Sequence, residues 1–466
     1  MKIFNTLSGE KEQFEPIEKN NIRMYVCGMT VYDDTHIGHA RTFLSFDLIV
    51  RYLRFIDYKV HYIRNITDVD DKIISRANEL GIDPEELTER YINSMDNDFE
   101  SLGMIKPDAE PRATENISSI ISLIEILIEK GHAYEGESDV YFSTESFSSY
   151  GKLSRRNLDD MLAGARIDID LDKKNPTDFV LWKKNTEGLK WDSPWGPGRP
   201  GWHIECSAMS MDALGETFDI HGGGSDLKFP HHENEIAQSE CVTGKEFAKL
   251  WMHTGSLRID KEKMSKSLNN FITIKDALHD YSSEVLRFFL ISSHYRSPLN
   301  YSDEGLKEAK NSLDRLYNSL EGLQCLDKNF DKSEYSEKFH DAMQDDFNTP
   351  SAISILFDLV RQINTFKKKN ETEKANSLAS ELVQLSGILG ILQNSFEGYF
   401  TSEASLTNAE IENFILKRNQ ARANKDFALS DKIRDELLEK GISLEDKESG
   451  TIWTVSYTHL TLPTTD

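Results

Sequence analysis

Hydrophobic and polar positions near the start of the chain follow first a strand pattern and then a helix pattern. Residues 22–27 form a short apolar run that ends at Gly28, which predicts a buried strand. Residues 39–55 carry apolar side chains at helical spacing, and the following "YKVHYIRN" is rich in residues that favour strands. This order predicts the βαβ unit of an α/β fold with a doubly wound parallel sheet, the Rossmann type.

The same order of elements returns in the second half of the chain. In "ETFDIHGGGSDLKFPHHENEIAQSE" a short strand runs into three glycines, and we expect a helix to open near Pro230. A long mixed region between the two halves indicates an insertion into the sheet-forming domain. After Asp303 the pattern becomes helical and charged, which predicts a helical domain.

Composition narrows the class of protein. At 466 residues with 38% hydrophobic positions, the chain is long enough for two to four domains. Four dispersed cysteines and a polar N-terminus unlike a signal peptide indicate a reducing, cytoplasmic location. The most apolar window, residues 117–131, contains two glutamates and is too short to cross a bilayer. We therefore expect a packed helix there and no membrane partner.

The net charge of −25 argues against a surface coated with positive charge. It is still compatible with a nucleic-acid partner that binds a local basic strip. One candidate strip contains Lys152, Arg155, Arg156 and Arg166. The alternative interpretation of this strip is an ordinary solvated surface.

Two histidines stand three residues apart in "TVYDDTHIGHAR", where a strand has ended and a helix begins. The N–H groups and dipole at a helix start favour an anion, so His36 and His39 are candidate phosphate-binding residues. Gly38 between them lets a flat ring such as adenine approach the backbone. The alternative is a pair of capping or surface histidines.

A second candidate phosphate-binding segment is "KMSKS". Lys263 and Lys266 place two cations in a short segment with little apolar periodicity, which could neutralise a leaving pyrophosphate. An exposed turn is the alternative. The early histidine pair and this late segment together resemble the two signatures of class I aminoacyl-tRNA synthetases.

A third constellation has the residue types of a metal site. His231 and Glu235 are spaced i, i+4 on a predicted helix, so their side chains leave the same face. Cys27 ends the first strand and Cys206 lies in "PGWHIECSAM". Two thiolates, an imidazole and a carboxylate would form a four-ligand zinc site. Two buried structural cysteines are the alternative, and sequence chemistry does not choose between these interpretations.

Six segments occur in the order found in the cysteinyl-tRNA synthetase family, which the chain resembles up to about Trp453. They are "CGMTVYDDTHIGHAR", "NITDVDDKII", "YGKLSRRNLDDMLAGAR", "PGWHIECSAM", "FDIHGGGSDLKFPHHENEIAQSE" and "KMSKS". The resemblance implies one zinc ion per chain, which takes the substrate thiolate as a further ligand. It selects Cys27, Cys206, His231 and Glu235 as ligands over the neighbouring His203, His232, Glu233 and Cys241.

The resemblance also implies an amino-acid pocket and a nucleotide site. The residues that match the pocket are Gly28, Thr67, Trp202 and His221. The implied ATP-binding residues are His36, Gly38, His39, Asp226 and Lys266, with Lys263 beside them, and Asp226 would contact the nucleotide or the substrate amine. Gly222 and Gly223 would leave room for the ligand. ATP with Mg²⁺, L-cysteine and the tRNA for cysteine are the implied partners of a chain that we expect to be monomeric.

The family pattern divides the chain into seven segments. These are the first half of the catalytic domain (1–115), a connective insertion (116–195), the second catalytic half (196–255), the KMSKS loop and stem-contact region (256–303), a helical bundle (304–400), an anticodon-binding module (401–453) and an atypical tail (454–466). Asn269 stands where the family commonly has glycine. The tail contains no lysine or arginine and does not match the family's ending.

Two other functions stay open from the sequence. A cysteine ligase that transfers the same adenylate to an amino-sugar would resemble the catalytic half but lack the C-terminal module. A catalytically silent RNA-binding relative would keep RNA binding without pyrophosphate exchange. The intact histidine pair, the lysines of "KMSKS" and all four candidate ligands favour a ligase over that silent relative.

Overall fold

The computed structural model describes residues 1–156, 172–185, 188–259, 262–263, 271–325, 333–402, 408–439, 442–447 and 450–455. Lys266, Asn269, Arg166 and residues 456–466 of the predicted tail lie outside these ranges. The chain divides into two compact units. The first comprises residues 1–312, 331–359 and 384–391, and the second comprises residues 313–330, 360–383 and 392–466.

The described strands are, in chain order, β1 (Lys2–Asn5), β2 (Glu10–Gln13), β3 (Asn21–Val26), β4 (Lys59–Arg64), β5 (Ala133–Glu135), β6 (Asp139–Phe142), β7 (Phe179–Lys184), β8 (Gly198–Pro200), β9 (Phe218–Gly224), β10 (Ala248–Thr254), β11 (Leu257–Ile259), β12 (Glu262–Lys263), β13 (Leu299–Tyr301), β14 (Ile442–Lys447) and β15 (Gly450–Val455).

The described α-helices are α1 (Ile37–Phe55), α2 (Asp71–Leu80), α3 (Pro84–Ser101), α4 (Ile117–Glu129), α5 (Trp202–Leu214), α6 (Glu233–Thr243), α7 (Ile274–Asp280), α8 (Ser283–Ile291), α9 (Asp303–Ser319), α10 (Glu334–Gln344), α11 (Thr349–Lys368), α12 (Thr372–Ile388), α13 (Phe396–Ser402), α14 (Asn408–Ala423) and α15 (Phe427–Glu439). A wider π-type turn, Lys228–His232, leads into α6. None of the helices in the described ranges combines the length and apolar character needed to cross a membrane.

A parallel sheet with the strand order β10-β9-β3-β4 forms the centre of the first unit. Met24 of β3 pairs with Tyr62 of β4 on one side and with Ile220 of β9 on the other. All seven residues of β9 are buried, as expected for a parallel strand covered on both faces. The predicted Rossmann-type fold is confirmed. Ligands of such sheets bind beyond the carboxyl ends of the strands, where Cys27 follows β3 directly.

The glycines of "HGGG" lie inside β9, and protein side chains occupy the space beside them. A Cβ atom on Gly222 would come within 2.3 Å of the Phe46 ring, and one on Gly223 within 2.8 Å of His232. The expectation that Gly222 and Gly223 leave room for a ligand is therefore wrong. Their missing side chains let Phe46 and His232 pack against the sheet.

The predicted insertion contains an antiparallel sheet with the order β5-β6-β7-β8. Its last strand ends at Pro200, beyond residue 195 where we placed the end of the insertion. The apolar face of α4 is buried through Ile120, Ile124 and Leu127, as the pattern of residues 117–131 predicts. These side chains share a core with Phe142.

The second unit contains helices and the antiparallel hairpin β14–β15. Its C-terminal part has a small apolar core of Ile411, Ile415, Ile433, Leu437, Ile442 and Leu444. Arg418 is buried and forms two bonds of 2.9 Å to the Asp446 carboxylate, which join α14 to the hairpin. This part corresponds to the predicted anticodon-binding module, whose boundaries and role stay predictions.

Candidate active site

Four side chains from separate parts of the chain meet at the carboxyl end of β3. The ligand atoms of Cys27, Cys206, His231 and Glu235 all lie within 4.8 Å of one another, and all four residues are buried. The Cys27 Sγ lies 3.5 Å from His231 Nε2 and 3.3 Å from Glu235 Oε1. Two thiols, an imidazole and a carboxylate at such distances fit the donor set that zinc prefers.

Local structure explains how these side chains converge. The backbone N–H of Cys27 donates to Gly222 O at 3.0 Å, which extends the β3–β9 pairing by one step. His231 Nε2 lies 3.1 Å from Glu235 Oε1, so the two side chains share a face as predicted. The helix itself begins later than expected, because α6 starts at Glu233 and the wider turn precedes it.

The cluster concentrates charge in a buried place. Burial favours the neutral imidazole, yet Glu235 and Cys206 raise the pKa of His231 to about 10. Burial would raise the pKa of Cys206, but a hydrogen bond from Cys27 and the nearby His231 lower it to about 6. Burial also opposes ionisation of Glu235, and His221 and His231 lower its pKa well below the usual value. Buried charges of this kind require each other or a bound cation.

Two of the four neighbouring residues that could be mistaken for ligands, His203 and His232, adjoin the cluster. His203 Nδ1 lies 2.9 Å from His231 Nδ1, so it contacts the far side of a predicted ligand. His232 belongs to a second group of residues whose ligand atoms also lie within 4.8 Å of one another. The other members of this group are Cys27, His221 and Glu235. The choice between the two groups stays a prediction based on the family resemblance.

The other two candidates serve different parts of the fold. The Glu233 carboxylate accepts hydrogen bonds from the backbone N–H groups of Gly151, Leu153 and Ser154, at 2.7–3.2 Å. It therefore ties α6 to the beginning of the predicted basic strip. Cys241 is buried in the core of the insertion, and burial raises the pKa of its thiol to about 12.

The residues predicted to form the amino-acid pocket surround this cluster. Trp202 is 39% exposed, and its ring stacks on His231 at a centroid distance of 4.4 Å. His221 is buried, and its Nε2 donates to Glu235 Oε2 at 2.8 Å. Thr67 pairs with Thr30 in an isolated bridge just after Gly28. The structure thus brings the four predicted pocket residues to one edge of the sheet.

The fold itself requires glycine at position 28. Its N–H donates to Asn65 Oδ1 at 2.8 Å. A Cβ atom at this position would lie 1.7 Å from the Asn65 carbonyl oxygen. Close approach of two backbone segments therefore requires glycine here, whatever else it contacts.

His36 and His39 cap the helix that they precede. His36 is the N-cap of α1, and its Nδ1 accepts the His39 N–H at 3.1 Å, while His39 Nδ1 accepts the His36 N–H at 3.4 Å. The rings stack at 3.5 Å. The capping alternative is thus realised. Each Nδ1 accepts a hydrogen bond, so each ring in its neutral form has its own N–H at Nε2, a donor compatible with phosphate.

The segment after "KMSKS" lies against this histidine pair. His36 forms an antiparallel bridge with Thr273, and the Ile37 N–H donates to Ile272 O at 3.2 Å. The Phe271 ring meets the His36 ring edge-on at 5.1 Å. Lys263 belongs to β12 and pairs with Arg258 of β11.

Asp226 lies in the turn directly after β9. The Leu227 N–H donates to Gly224 O at 3.0 Å, which closes this turn at the edge of the sheet. Asp226 is exposed there. Its position beyond a strand end is the one in which Rossmann-type folds hold ligands.

Two further residues of the site did not come from sequence reasoning. Tyr25 is fully buried and lies two positions before Cys27, and His253 of β10 is bonded to His232 at 2.8 Å. The position of Tyr25 could have been predicted from the alternation of side chains along a strand, which puts it on the same face as Cys27. For His253 the sheet order was needed, because its partner lies 21 residues away.

Comparisons with known proteins agree with this architecture. Residues 13–311 match the family described as the class I (C) tRNA synthetase catalytic domain, and residues 338–393 match the DALR domain. A cysteine–tRNA ligase of Hahella chejuensis is 54% identical over 465 residues, covering 97% of this chain and 99% of that protein. Another, of Shewanella sediminis, is 55% identical over 456 residues with the same coverage.

Solved structures with low sequence identity share the fold. A Mycobacterium tuberculosis methionyl-tRNA synthetase in complex with methionyl-adenylate has a TM-score of 0.60 and 14% identity, over 79% of this chain and 89% of that chain. A putative arginyl-tRNA synthetase from Campylobacter jejuni has a TM-score of 0.53 and covers 81% of this chain. The near-full-length relatives confirm the family that the motifs indicated: the chain belongs to the cysteine–tRNA ligase family of class I aminoacyl-tRNA synthetases.

Proposed function

We propose that the chain joins L-cysteine to its cognate tRNA in two steps that consume ATP. The carboxylate of cysteine attacks the α-phosphate of ATP, which forms cysteinyl-adenylate and releases pyrophosphate. The terminal ribose hydroxyl of the tRNA then takes the cysteinyl group and AMP leaves. The observation that carries this proposal is the buried cluster of two thiols, an imidazole and a carboxylate at the carboxyl edge of the parallel sheet.

Cys27, Cys206, His231 and Glu235 would hold one zinc ion. When bound, zinc would supply a borderline-soft Lewis acid able to take the substrate thiolate as a further ligand, which would distinguish sulfur from a serine hydroxyl. The stacked ring of Trp202 orients His231, and the hydrogen bond from His221 orients Glu235. A purely hydrophobic pocket would separate cysteine from serine only weakly, by about 10²-fold. Gly28 and Thr67 line the same edge.

The nucleotide would lie at the start of α1. Ring N–H groups of His36 and His39 and the helix start favour the negative charge that develops on the phosphates. Gly38 lets the nucleotide approach the backbone, and Asp226 contacts the nucleotide or the substrate amine. Lys263 and Lys266 neutralise the pyrophosphate. Mg²⁺ accompanies ATP as part of the substrate.

Transfer to tRNA depends mainly on positioning. We propose that residues 401–453 contact the anticodon side of the tRNA. The match to a cysteine–tRNA ligase over 97% of this chain supports this. Within the module, Arg418 and Asp446 hold the hairpin against α14. We further propose that the enzyme works as a cytoplasmic monomer.

Exchange of labelled pyrophosphate into ATP tests this function. We expect exchange with cysteine, little exchange with serine at equal concentration, and subsequent charging of tRNA. Absence of cysteine-dependent exchange would contradict the proposal and, with RNA binding retained, would indicate a silent relative. Exchange without charging of tRNA would indicate a ligase with another acceptor, such as an amino-sugar.

A further inference from the structure

We infer that Arg155 and Arg156 form a surface that binds backbone phosphates of tRNA close to its acceptor end. The inference rests on the function proposed above, because only a chain that charges tRNA must bring that end to the candidate active site. It assigns the first part of the basic strip, for which the sequence left RNA binding and an ordinary solvated surface open. The two arginines contact phosphate groups and take no part in forming cysteinyl-adenylate.

The segment that carries these arginines is fastened to α6. The Glu233 carboxylate at the start of this helix is fully buried and accepts the three backbone N–H bonds described above. Lys152 adds an ion pair of 2.6 Å to Glu240, farther along the same helix. Hydrogen bonds to an ionised acceptor are among the stronger ones in proteins. The chain therefore reaches Arg155 and Arg156 along a path that the helix fixes.

Further contacts place the two guanidinium groups beside the candidate active site. Arg155 donates from Nη2 to the carbonyl oxygen of Ser8. The Arg156 guanidinium lies 5.1 Å from the centre of the Phe229 ring. Phe229 belongs to the wider turn that leads into α6 and stands two residues before the predicted ligand His231. Arg156 therefore packs on the same turn that carries a candidate zinc ligand.

The arginines concentrate positive charge on a chain whose net charge is −25. Both side chains are exposed, and within the described ranges neither forms an ion pair with a carboxylate, whereas Lys152 does. Lys228, which opens the wider turn, adds a third cation. Burial and the charges of Arg155 and Arg156 lower the pKa of its ammonium group. A bound anion relieves such repulsion between like charges.

The phosphates of tRNA fit this surface better than those of ATP. The nucleotide is assigned to the start of α1, where the histidine pair supplies its donors. The terminal ribose of the tRNA must reach the adenylate at the carboxyl edge of the sheet, so the phosphates just before that ribose must pass close to the edge. Arg156 lies there, and a guanidinium binds phosphate with two parallel hydrogen bonds.

Binding of a transcript of the tRNA for cysteine to the full-length chain, measured at several salt concentrations, tests the inference. In Arg156→Gln we expect affinity to fall about tenfold, the effect of one lost hydrogen-bonded charge contact. The slope of log affinity against log salt should become shallower by about 1. Pyrophosphate exchange with cysteine needs no tRNA and should stay unchanged. Arg90→Gln is the matched control, because Arg90 is also exposed and lies over a ring, 5.6 Å from that of Tyr91.

Unchanged affinity and slope in Arg156→Gln would overturn the inference and leave the strip an ordinary solvated surface. A higher KM for ATP in pyrophosphate exchange, with tRNA binding intact, would assign the arginine to ATP and would also overturn it. In the double variant Arg155→Gln/Arg156→Gln the slope should become shallower by about 2, and a change of only 1 would overturn the part assigned to Arg155. If the unaltered chain shows no cysteine-dependent exchange, the proposed chemistry fails, while the salt slopes still decide whether these arginines bind RNA.

Discussion

The candidate metal centre and the histidine pair at α1 are assembled in opposite ways. Cys27 and Glu235 stand 208 residues apart and meet only because β3 and α6 adjoin one edge of the sheet. His36 and His39 are three residues apart and bond to each other within one turn. The first site therefore depends on the whole domain, while the second is largely complete once a single helix forms.

This difference changes what a substitution does. In the buried cluster, the loss of one group leaves the remaining charges uncompensated. In the histidine pair, the loss of one ring removes a local cap and a donor for phosphate, while the rest of the domain keeps its contacts. Metal content and adenylate formation should therefore respond separately to changes in the two places.

Cys206→Ser should have the largest effect. Serine oxygen is a poor zinc ligand at neutral pH, so metal affinity should fall more than about 100-fold, beyond what outer-shell changes cost. Elemental analysis of purified protein would measure the loss, and pyrophosphate exchange would show weaker selection of cysteine over serine. Cys241→Ala is the control, because that cysteine is buried in the insertion core away from the cluster.

Substitution of the adjacent histidines His231 and His232 tests which of the two residue groups holds the metal. His231→Gln should lose metal like Cys206→Ser, whereas His232→Gln should retain most of it. The reverse result, or full metal content in Cys206→Ser, would refute the ligand assignment. It would point instead to the group of Cys27, His221, His232 and Glu235.

His39→Ala should lower adenylate formation without changing the metal. The loss of one preorganised donor to the developing phosphate charge should reduce the rate about 100-fold. Pyrophosphate exchange with cysteine measures the rate, and elemental analysis checks that zinc stays. His279→Ala serves as the control, because that side chain is 87% exposed on α7. Equal exchange rates in the two variants would contradict the proposed role of the pair.

Gly222→Ala should destabilise the domain because the added methyl group meets the Phe46 ring. We expect the free energy of unfolding to fall by about 3 kcal/mol, as in overpacked cores. Denaturant titration without substrates measures the loss. Phe46→Leu combined with Gly222→Ala should recover part of it. If Gly222→Ala weakens ligand binding but not stability, the glycine serves the ligand and our packing account is wrong.

The smallest predicted effect is a loss of stability in acid. It comes from His253, a buried histidine next to the cluster. Burial, His221 and Lys228 lower the pKa of His253 to about 3, against about 6.5 in the unfolded chain. The unfolded state then binds a proton that the folded state does not, so stability is present above pH 6.5 and is lost as the pH falls toward 3. A change from pH 8 to pH 5 should therefore lower the free energy of unfolding by about 2 kcal/mol through His253.

His253→Gln should make the dependence of unfolding free energy on pH shallower in that window. His61→Gln, at an exposed position of β4, should leave the dependence as it is. Equal slopes for His253→Gln and the unaltered chain would mean that His253 takes up its proton in the folded state.

Local sequence patterns determined several elements of the fold and part of the candidate site. The apolar run before Gly28 and the helical spacing after it predicted β3 and α1, because each pattern reports which side chains one element buries. The motifs also identified the family. The spacing of His231 and Glu235 placed both side chains on one face, although the wider turn moved the start of α6 to Glu233.

Only the tertiary structure decided which distant groups meet. It revealed that Phe46 and His232 fill the space beside Gly222 and Gly223, and that Asn65 requires glycine at position 28. It also brought Tyr25 and His253 beside the candidate ligands. Sequence alone cannot supply these contacts, because burial and the partners of a polar atom depend on the order and register of strands far apart in the chain.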